Sequence, residues 1–144
     1  MAGGFTVRWY GSWPWCRHVI SGIRSKLHEN IVAHLGDRYC EEQRYCVVFY
    51  NGKPCGVLKA GMHWERGMVP QKMPFICEAA TTQKWSGAGA VLFDAFVKEY
   101  GTPFWLKCMD STARKFWQHM GKKRRLPFRT VGRTAWNTAV ICFG

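Results

Sequence analysis

The sequence predicts an α+β domain with a mixed, mostly antiparallel central sheet and helices on both of its faces. Short apolar runs, typical of strands, occupy most of the chain. Apolar residues recur every four positions between Trp15 and Leu35, and a long amphipathic segment at 87–100 interrupts the later runs. Because these helical segments do not alternate regularly with the strands, the order favours an α+β arrangement over a doubly wound one.

The elements follow one another as β, α (one or two helices), β, β, β, α, β, α, β, β. The predicted strands are Phe5–Tyr10, Tyr45–Tyr50, Gly56–Met62, Met73–Ala80, Phe104–Met109, Leu126–Thr130 and Trp136–Phe143. The predicted helices are one or two between Trp15 and Leu35, then Gly87–Tyr100 and Ser111–Met120.

Turn residues predict where several elements end. Asn51-Gly52 is expected to close a hairpin, because a type I′ turn needs positive φ at both of its central residues. Gly101 is expected to end the second long helix, and Gly121 the third. The polar segment 37–44 is expected to be a link between elements.

Composition limits the class of protein. A chain of 144 residues that is 47% hydrophobic fits one domain spanning 1–144. Neither a run of roughly 20 apolar residues nor a secretory signal pattern is present, so we expect a cytoplasmic protein without a membrane partner. Seven scattered cysteines without C-x-x-C spacing predict buried free thiols in a reducing compartment and no metal site.

The charge balance calls for an anionic partner. Lys and Arg number 21 against 9 acidic residues, which gives a formal net charge of +12, and residues 122–125 form the densest basic run. Such a field attracts nucleic acid, acidic proteins and anionic cofactors. The alternative for this run is a solvated basic turn that serves solubility alone.

Residues 73–100 form the most informative segment. An apolar run is followed by polar residues and then by Gly87-Ala88-Gly89 at the start of an amphipathic segment. A strand, a glycine-rich turn and a helix together point several backbone N–H groups at one place, which suits a phosphate. Glycine lets the backbone approach such a ligand closely. The pattern therefore favours a transferase that binds a pyrophosphate-containing cofactor.

Two stretches of the chain are similar to motifs of the GCN5-related N-acetyltransferase superfamily. The family's pyrophosphate loop reads Gln/Arg-x-x-Gly-x-Gly/Ala between its fourth strand and the next helix, and residues 84–89, KWSGAG, stand in that place. The family's later motif, Asn-x-x-Ala-x-x-Phe-Tyr-x-x-x-Gly, resembles residues 110–121, DSTARKFWQHMG. The element order also resembles that of the family over nearly the whole chain.

The resemblance implies a binding site for acetyl-CoA or another acyl-CoA. Backbone amides of residues 85–90 would hold the pyrophosphate, Lys84 would add a point charge, and the fourth and fifth strands would splay apart to admit the pantetheine arm. The residues that this resemblance assigns to the cofactor are Cys77, Ala79, Ala80, Lys84, Trp85, Ser86, Gly87, Ala88, Gly89, Ala90, Ser111 and Phe116.

The resemblance also indicates where catalysis would take place. Glu78, the only carboxylate on an otherwise apolar strand, is the candidate general base, and His63 and Glu65 are alternatives. Trp117 stands where the family commonly has a Tyr that acts as the acid. Its indole N–H donates a hydrogen bond but supplies no proton at a useful pH. The alternatives for Glu78 and Asp110 are a structural ion pair and a helix cap.

The expected function is that of an acyl-CoA-dependent N-acyltransferase, whose amine acceptor is a small molecule, a protein or a nucleic-acid-linked group. The alternative is a catalytically degenerate binding or structural protein on this fold, of the phage or mobile-element type. A sequence-specific DNA reader fits less well, because no helix-turn-helix or zinc-finger pattern occurs.

Two further questions stay open in the sequence. Trp9, Trp13 and Trp15 either pack the first helix onto the sheet or line an acceptor pocket. The last two strands pair within one chain or across a homodimer.

Overall fold

Seven strands form one sheet in the order β1-β2-β3-β4-β5-β7-β6. The computed structural model describes residues 4–27, 34–82, 87–108, 111–134 and 138–144. The strands are β1 Phe5–Tyr10, β2 Glu41–Tyr50, β3 Lys53–His63, β4 Met73–Thr81, β5 Phe104–Cys108, β6 Phe128–Arg133 and β7 Ala139–Phe143. All neighbouring strands are antiparallel except β4 and β5, so the predicted mixed sheet is confirmed.

Helices cover both faces of the sheet, as expected. They are α1 Trp13–Ile20, a short 3-10 helix Arg24–Lys26, α2 Ala88–Tyr100 and α3 Ser111–Lys123. Cys16 and Ile20 of α1 pack on one face, against Tyr45 and Val47. The buried side chains of α2 and α3 pack together on the opposite face. Side chains alternate along each strand, so β2 and β3 contribute to the apolar layers on both sides.

Two predicted turns are confirmed by their backbone angles. Asn51 has φ of 49° and Gly52 has φ of 80°, as a type I′ hairpin between β2 and β3 requires. Gly101 ends α2 with φ of 70°, and its N–H donates to the carbonyl of Val97 at 2.7 Å. Left-handed backbone at these places explains the choice of Asn and Gly.

Some predicted boundaries are wrong. β2 begins at Glu41 rather than Tyr45, because a strand end with exposed side chains carries the polar residues of a loop. α3 continues past Gly121 to Lys123. A Cβ on Gly121 would lie 2.5 Å from Phe128 Cδ1, so this glycine permits close packing and does not mark the helix end.

The last two strands pair within one chain. β7 lies between β5 and β6, and both pairings are antiparallel. β6 covers Phe128–Arg133, later than predicted, and β7 begins at Ala139. The predicted start of the last strand, at 136, lies outside the described residues.

Candidate active site

The sheet opens between β4 and β5. These strands run parallel and pair only at Phe75 with Trp105 and at Ile76 with Leu106. Beyond these two pairs, β4 and β5 do not pair with each other in the described part of the chain, whereas β4 stays paired with β3 and β5 with β7. An extended ligand that enters this opening meets the edge of β4 from Cys77 to Ala80, the arrangement by which sheets bind extended chains.

A bulge in β4 lies directly after Ile76, the last residue of β4 that pairs with β5. Lys59 of β3 is opposite Glu78, whereas Ala60 is opposite Ile76, so Cys77 is the extra residue of β4. A bulge bends the strand and redirects the side chains that follow it. Here it places Glu78 on the face of the sheet that α1 covers, next to Lys59.

Glu78 has the environment of a proton acceptor. The side chain is half-buried, and among the described residues its Oε2 atom has no hydrogen-bond partner. Burial raises the pKa of Glu78, and the charge of Lys59 offsets only part of this effect. A carboxylate whose pKa is raised toward neutrality is a better general base, provided that it is ionised at the working pH.

Lys59 is the buried cation beside this carboxylate. Its side chain is 1% exposed, and its Nζ donates to the carbonyl oxygen of His34 at 2.9 Å. A buried ammonium needs such partners, because removal from water is costly for a charged group. Lys59 was not singled out from the sequence, although a lone lysine in an apolar run is a visible signal.

The N-terminus of α2 is built for a close approach by a ligand. Gly87 precedes the helix with φ of 94° and has no side chain with which to cap it, and the first turn contains no acidic residue. Among the described residues, a Cβ on Gly87 would meet only the ring of Phe5, at 3.4 Å. The left-handed backbone therefore explains this glycine, and the first turn itself adds no negative charge at the positive end of the helix dipole.

A second polar group lies on the same face, toward the other end of β3. Lys107 Nζ donates to Tyr39 Oη at 2.9 Å and to Glu65 Oε2 at 3.1 Å. Burial lowers the pKa of Lys107, but these two hydrogen bonds more than offset it and hold the value above its ordinary range. Because Glu65 is paired with this ammonium, it is a weaker candidate base than Glu78.

His63 belongs to this second group. Its ring stacks on Trp105, with centroids 5.6 Å apart, and its Nε2 lies 3.8 Å from Glu65 Oε2. Burial, and then the charge of Lys107, lower the pKa of His63. The imidazole is therefore neutral at neutral pH and able to accept a proton. Tyr39 and Lys107 were missed from the sequence, although Lys107 is the only charged residue of its strand.

The comparisons with known proteins find this architecture among acetyltransferases. An acetyltransferase from Thermus thermophilus matches with a TM-score of 0.65 and 13% identity, over 95% of this chain and 96% of the other. Diaminobutyrate acetyltransferase EctA from Paenibacillus lautus, in complex with L-2,4-diaminobutyric acid and coenzyme A, matches with a TM-score of 0.61 and 13% identity, over 98% and 96%. AtaTR bound with acetyl-CoA matches with a TM-score of 0.61 and 11% identity, over 95% and 92%.

This is the GCN5-related N-acetyltransferase fold. The likeness is one of structure, because no family model and no curated protein matches the sequence. Within this GCN5-related fold, the opening between β4 and β5 and the start of α2 correspond to the segment that the sequence motifs singled out.

The residues assigned to the cofactor occupy varied environments. On β4, Cys77 and Ala79 are half-buried, and Ala80 packs with the α1 side of the core. At the start of α2, Ala88 is buried and Ala90 is partly buried against the core on that face. Ser111 is the exposed first residue of α3. Lys84, Trp85 and Ser86 lie outside the described residues, as does the proposed cap Asp110.

Gly89 and Phe116 pack against each other. A Cβ on Gly89 would lie 2.9 Å from Phe116 Cζ, so this glycine lets α3 come close to α2. The Gly-Ala-Gly pattern of the GCN5-related motif thus combines two physical requirements. Gly87 is needed for its backbone angle and Gly89 for its small size.

Trp117 is a core residue of this GCN5-related fold. It is 8% exposed and packs against Phe93 and Phe116, with ring centroids 6.0 and 4.9 Å away. This position gives it a packing role between α2 and α3.

The three N-terminal tryptophans have different environments. Trp9 lies edge-on to Tyr100, with the guanidinium of Arg44 4.7 Å above its ring. Trp13 packs against Tyr45 on the α1 side, whereas Trp15 is 69% exposed. Trp9 and Trp13 therefore contribute to packing, and Trp15 does not.

Neither a membrane-spanning helix nor a metal-binding cluster is found among the described residues. The described residues contain no helix with the length and hydrophobicity needed to cross a membrane. Within the same ranges, no three or more His, Cys, Asp or Glu side chains are grouped as a metal site would require.

Proposed function

We propose that the protein is an acyl-CoA-dependent N-acyltransferase that uses acetyl-CoA as its donor. The observation that carries the proposal is the parting of β4 and β5 after two paired residues, beside the N-terminus of α2, which begins at a glycine with φ of 94°. The likeness of the fold to EctA, in complex with coenzyme A, and to AtaTR bound with acetyl-CoA supports it.

The fit of the cofactor rests on two surfaces of this chain. The backbone amides at the start of α2, together with residues 85 and 86, hold the pyrophosphate, and Lys84 adds a positive charge. The unpaired edge of β4, from Cys77 to Ala80, receives the amide groups of the pantetheine arm. Helix N-termini bind phosphate because their N–H groups and the helix dipole both favour an anion.

Glu78 is the general base of the proposed reaction. The bound acetyl-CoA supplies the acyl group as a thioester. The Glu78 carboxylate would take one proton from the acceptor ammonium. The neutral amine would then attack the acyl carbon, the C–S bond would break, and the proton that the nitrogen loses on becoming an amide would go to the CoA thiolate, which leaves as CoA thiol. Trp117 gives no proton to the thiolate, because an indole N–H is not acidic and this ring lies in the core.

The acceptor is an amine whose class the basic surface helps to define. A net charge of +12 favours an acceptor carried by a nucleic acid or by an acidic protein over a cationic small molecule. The seven thiols, none of them in a disulfide, suit the reducing cytoplasm in which we place the reaction. No observation among the described residues favours the alternative of a non-catalytic binding protein.

Calorimetric titration with acetyl-CoA tests the proposal. Gly87→Asp places a negative charge at the start of α2 and is expected to weaken acetyl-CoA binding about tenfold or more. Gly101→Asp is the matched control, because Gly101 also has a left-handed backbone but lies at the opposite end of α2, with open space around it. Gly101, with φ of 70° and ψ of −163°, has a backbone that only glycine adopts readily, so its Asp variant bears at least as much backbone strain as Gly87→Asp. A loss of binding confined to folded Gly87→Asp therefore reports the position of the charge.

The outcomes separate clearly. Weakened binding in Gly87→Asp alone supports the site. Equal affinity in both folded variants would place the cofactor elsewhere, and no binding of acetyl-CoA or CoA by the folded wild-type protein would overturn the proposed function.

A further inference from the structure

Two cysteine thiols from distant parts of the chain lie in direct contact. Cys40 precedes β2, and Cys77 is the bulged residue of β4, yet their Sγ atoms are 3.1 Å apart. Both are free thiols.

The contact is held in place by the surrounding residues. A Cβ on Gly61 of β3 would lie 2.5 Å from Cys40 Sγ, so the sulfur occupies space that only glycine leaves open. Gln43 Oε1 accepts hydrogen bonds from the backbone N–H groups of Tyr39 at 2.9 Å and Cys40 at 3.4 Å. Gln43 Nε2 donates to the carbonyl of Asp37 at 3.0 Å, which fixes the same segment.

The electrostatics favour a reactive sulfur at Cys40. With Cys77 as the donor, the hydrogen bond between the thiols lowers the pKa of Cys40, burial opposes this, and the charge of Lys59 assists it. The same hydrogen bond and burial raise the pKa of Cys77. The thiolate is the nucleophilic form of cysteine, so Cys40 is the sulfur that reacts first.

A cavity gives small molecules access to Cys40. The cavity has a volume of about 290 Å³, and Cys40 lines it together with Tyr39, His63 and Trp64. Cys77 is itself half-buried rather than enclosed. Cys40 itself is 4% exposed, so this cavity is the route by which a reagent the size of hydrogen peroxide approaches its sulfur.

We propose that Cys40 and Cys77 are a redox-active pair that a peroxide converts reversibly to a disulfide. This inference goes beyond the proposed acyl transfer and does not rest on it. The resulting bond would tie the bulge of β4, next to Glu78, to the segment that precedes β2. Formation requires the sulfurs to approach by about 1 Å, to the length of an S–S bond near 2.05 Å.

The chemistry balances in two steps. The Cys40 thiolate attacks one oxygen of hydrogen peroxide, the O–O bond breaks, and a solvent proton completes the sulfenic acid and one water. The Cys77 sulfur then attacks the Cys40 sulfur, the S–O bond breaks, and the departing hydroxide takes the Cys77 proton as a second water. Two thiols lose two electrons to the peroxide, and a dithiol reductant restores them.

The test is peptide mapping of the wild-type protein. Reduced protein is treated with a small excess of hydrogen peroxide, quenched, and digested without reduction. We expect the intact mass to fall by two hydrogen atoms and the Cys40 and Cys77 peptides to be cross-linked, with both changes reversed by dithiothreitol. The Cys142→Ser variant, which removes another half-buried cysteine, is expected to behave as the wild type.

Two variants probe the assignment further. Cys77→Ser removes the resolving thiol, so a sulfenic acid at Cys40 is expected to persist and to react with dimedone. Gly61→Ala displaces Cys40 and is expected to slow cross-linking about tenfold.

Wild-type mapping decides the matter even where a variant fails to fold. Protein that keeps its native circular dichroism, but is oxidised at other cysteines while Cys40 and Cys77 stay thiols, would overturn the proposal.

Discussion

At the scale of single residues, the candidate site contains a half-buried carboxylate next to a buried lysine. Glu78 and Lys59 face each other across β3 and β4, and the bulge at Cys77 sets that register. The carboxylate has an oxygen without a described partner, whereas the ammonium donates to a backbone carbonyl. The pair is therefore unequal, and the carboxylate is the member that is available for chemistry.

Glu78→Gln is expected to lower kcat about 100-fold or more and to leave acetyl-CoA affinity unchanged. The amide keeps the size of the side chain but removes the proton acceptor. The measurement is steady-state release of CoA thiol with an acceptor found by screening amines, alongside calorimetry. His63→Gln serves as the comparison, and a larger loss of kcat in that variant would move the base to the second polar group.

Glu78→Gln also tests how the stability of the fold depends on pH. Because burial raises the pKa of Glu78, the folded state binds this proton more tightly than the unfolded state, and stability falls as pH rises. The window begins near the unfolded value of about 4.3 and ends at the raised folded value. The Tm of Glu78→Gln relative to wild type should therefore increase across this window, and a constant difference would contradict the assignment.

Lys59→Met is expected to raise the pKa of Glu78 further. The charge of Lys59 lowers that pKa, and methionine keeps much of the side-chain volume without the charge. Carbon-13 NMR of labelled glutamate carboxyl groups measures the shift directly. Lys53→Met, at the exposed start of β3, is the control, and an unmoved Glu78 titration in Lys59→Met would remove Lys59 from the account.

At the scale of elements, α3 is held against α2 by buried apolar side chains. Trp117 and Met120 are buried on one side of this helix and contact the same core as Phe93 of α2. The indole thus stabilises the packing of α3 against α2.

Trp117→Phe is expected to cost about 1–2 kcal/mol of stability while kcat stays at the wild-type level. Phenylalanine leaves a small void in the core, but no proton path passes through this side chain. Thermal unfolding and turnover are measured together. Met120→Leu is the matched control on the same helix, and a kcat loss of about 100-fold in a stable Trp117→Phe protein would restore its catalytic role.

The elements also show what the sequence could predict. Strands with strong apolar patterns, such as β3 and β4, and the hairpin at Asn51-Gly52 were predicted correctly, because local chemistry determines them. The end of α3 was predicted wrongly at Gly121, because a glycine needed for contact with Phe128 resembles one that ends a helix.

Within the candidate site, local pattern was sufficient only in part. Glu78 stood out as the one carboxylate in an apolar strand. The bulge at Cys77, the contact of Cys77 with Cys40 and the hydrogen bonds of Lys107 come from strand register and long-range packing. A single sequence carries no direct signal for such contacts.

At the scale of the whole molecule, the excess of positive charge is unevenly available. Arg124 makes two hydrogen bonds of 2.7 Å with the carboxylate of Asp94, while Lys122 and Lys123 are exposed beside it at the end of α3. The two lysines, together with the exposed Arg125, are therefore placed to meet a polyanion.

Lys122→Glu with Lys123→Glu is expected to reduce the salt dependence of non-specific binding to a short DNA duplex. Each phosphate that the protein no longer neutralises reduces the steepness of log K against log salt by about 0.9. Fluorescence anisotropy at several salt concentrations measures the slope. Lys26→Glu with Lys53→Glu changes the net charge equally at other exposed positions, and equal slopes in the two double variants would mean that no defined surface exists.

The short seam between β4 and β5 has a mechanical consequence. It divides the sheet into one half made of β1 to β4 and another made of β5, β7 and β6, and in the described residues two pairs join these halves. α2 packs across both halves, because its Phe93 and Phe96 contact the ring of Phe104 on β5. We expect the two halves of the sheet to move relative to each other about the β4–β5 boundary while each half keeps its own hydrogen bonds. A ligand bound between β4 and β5 would restrict this motion, so the rate of amide hydrogen exchange along β5 would fall when the gap is occupied.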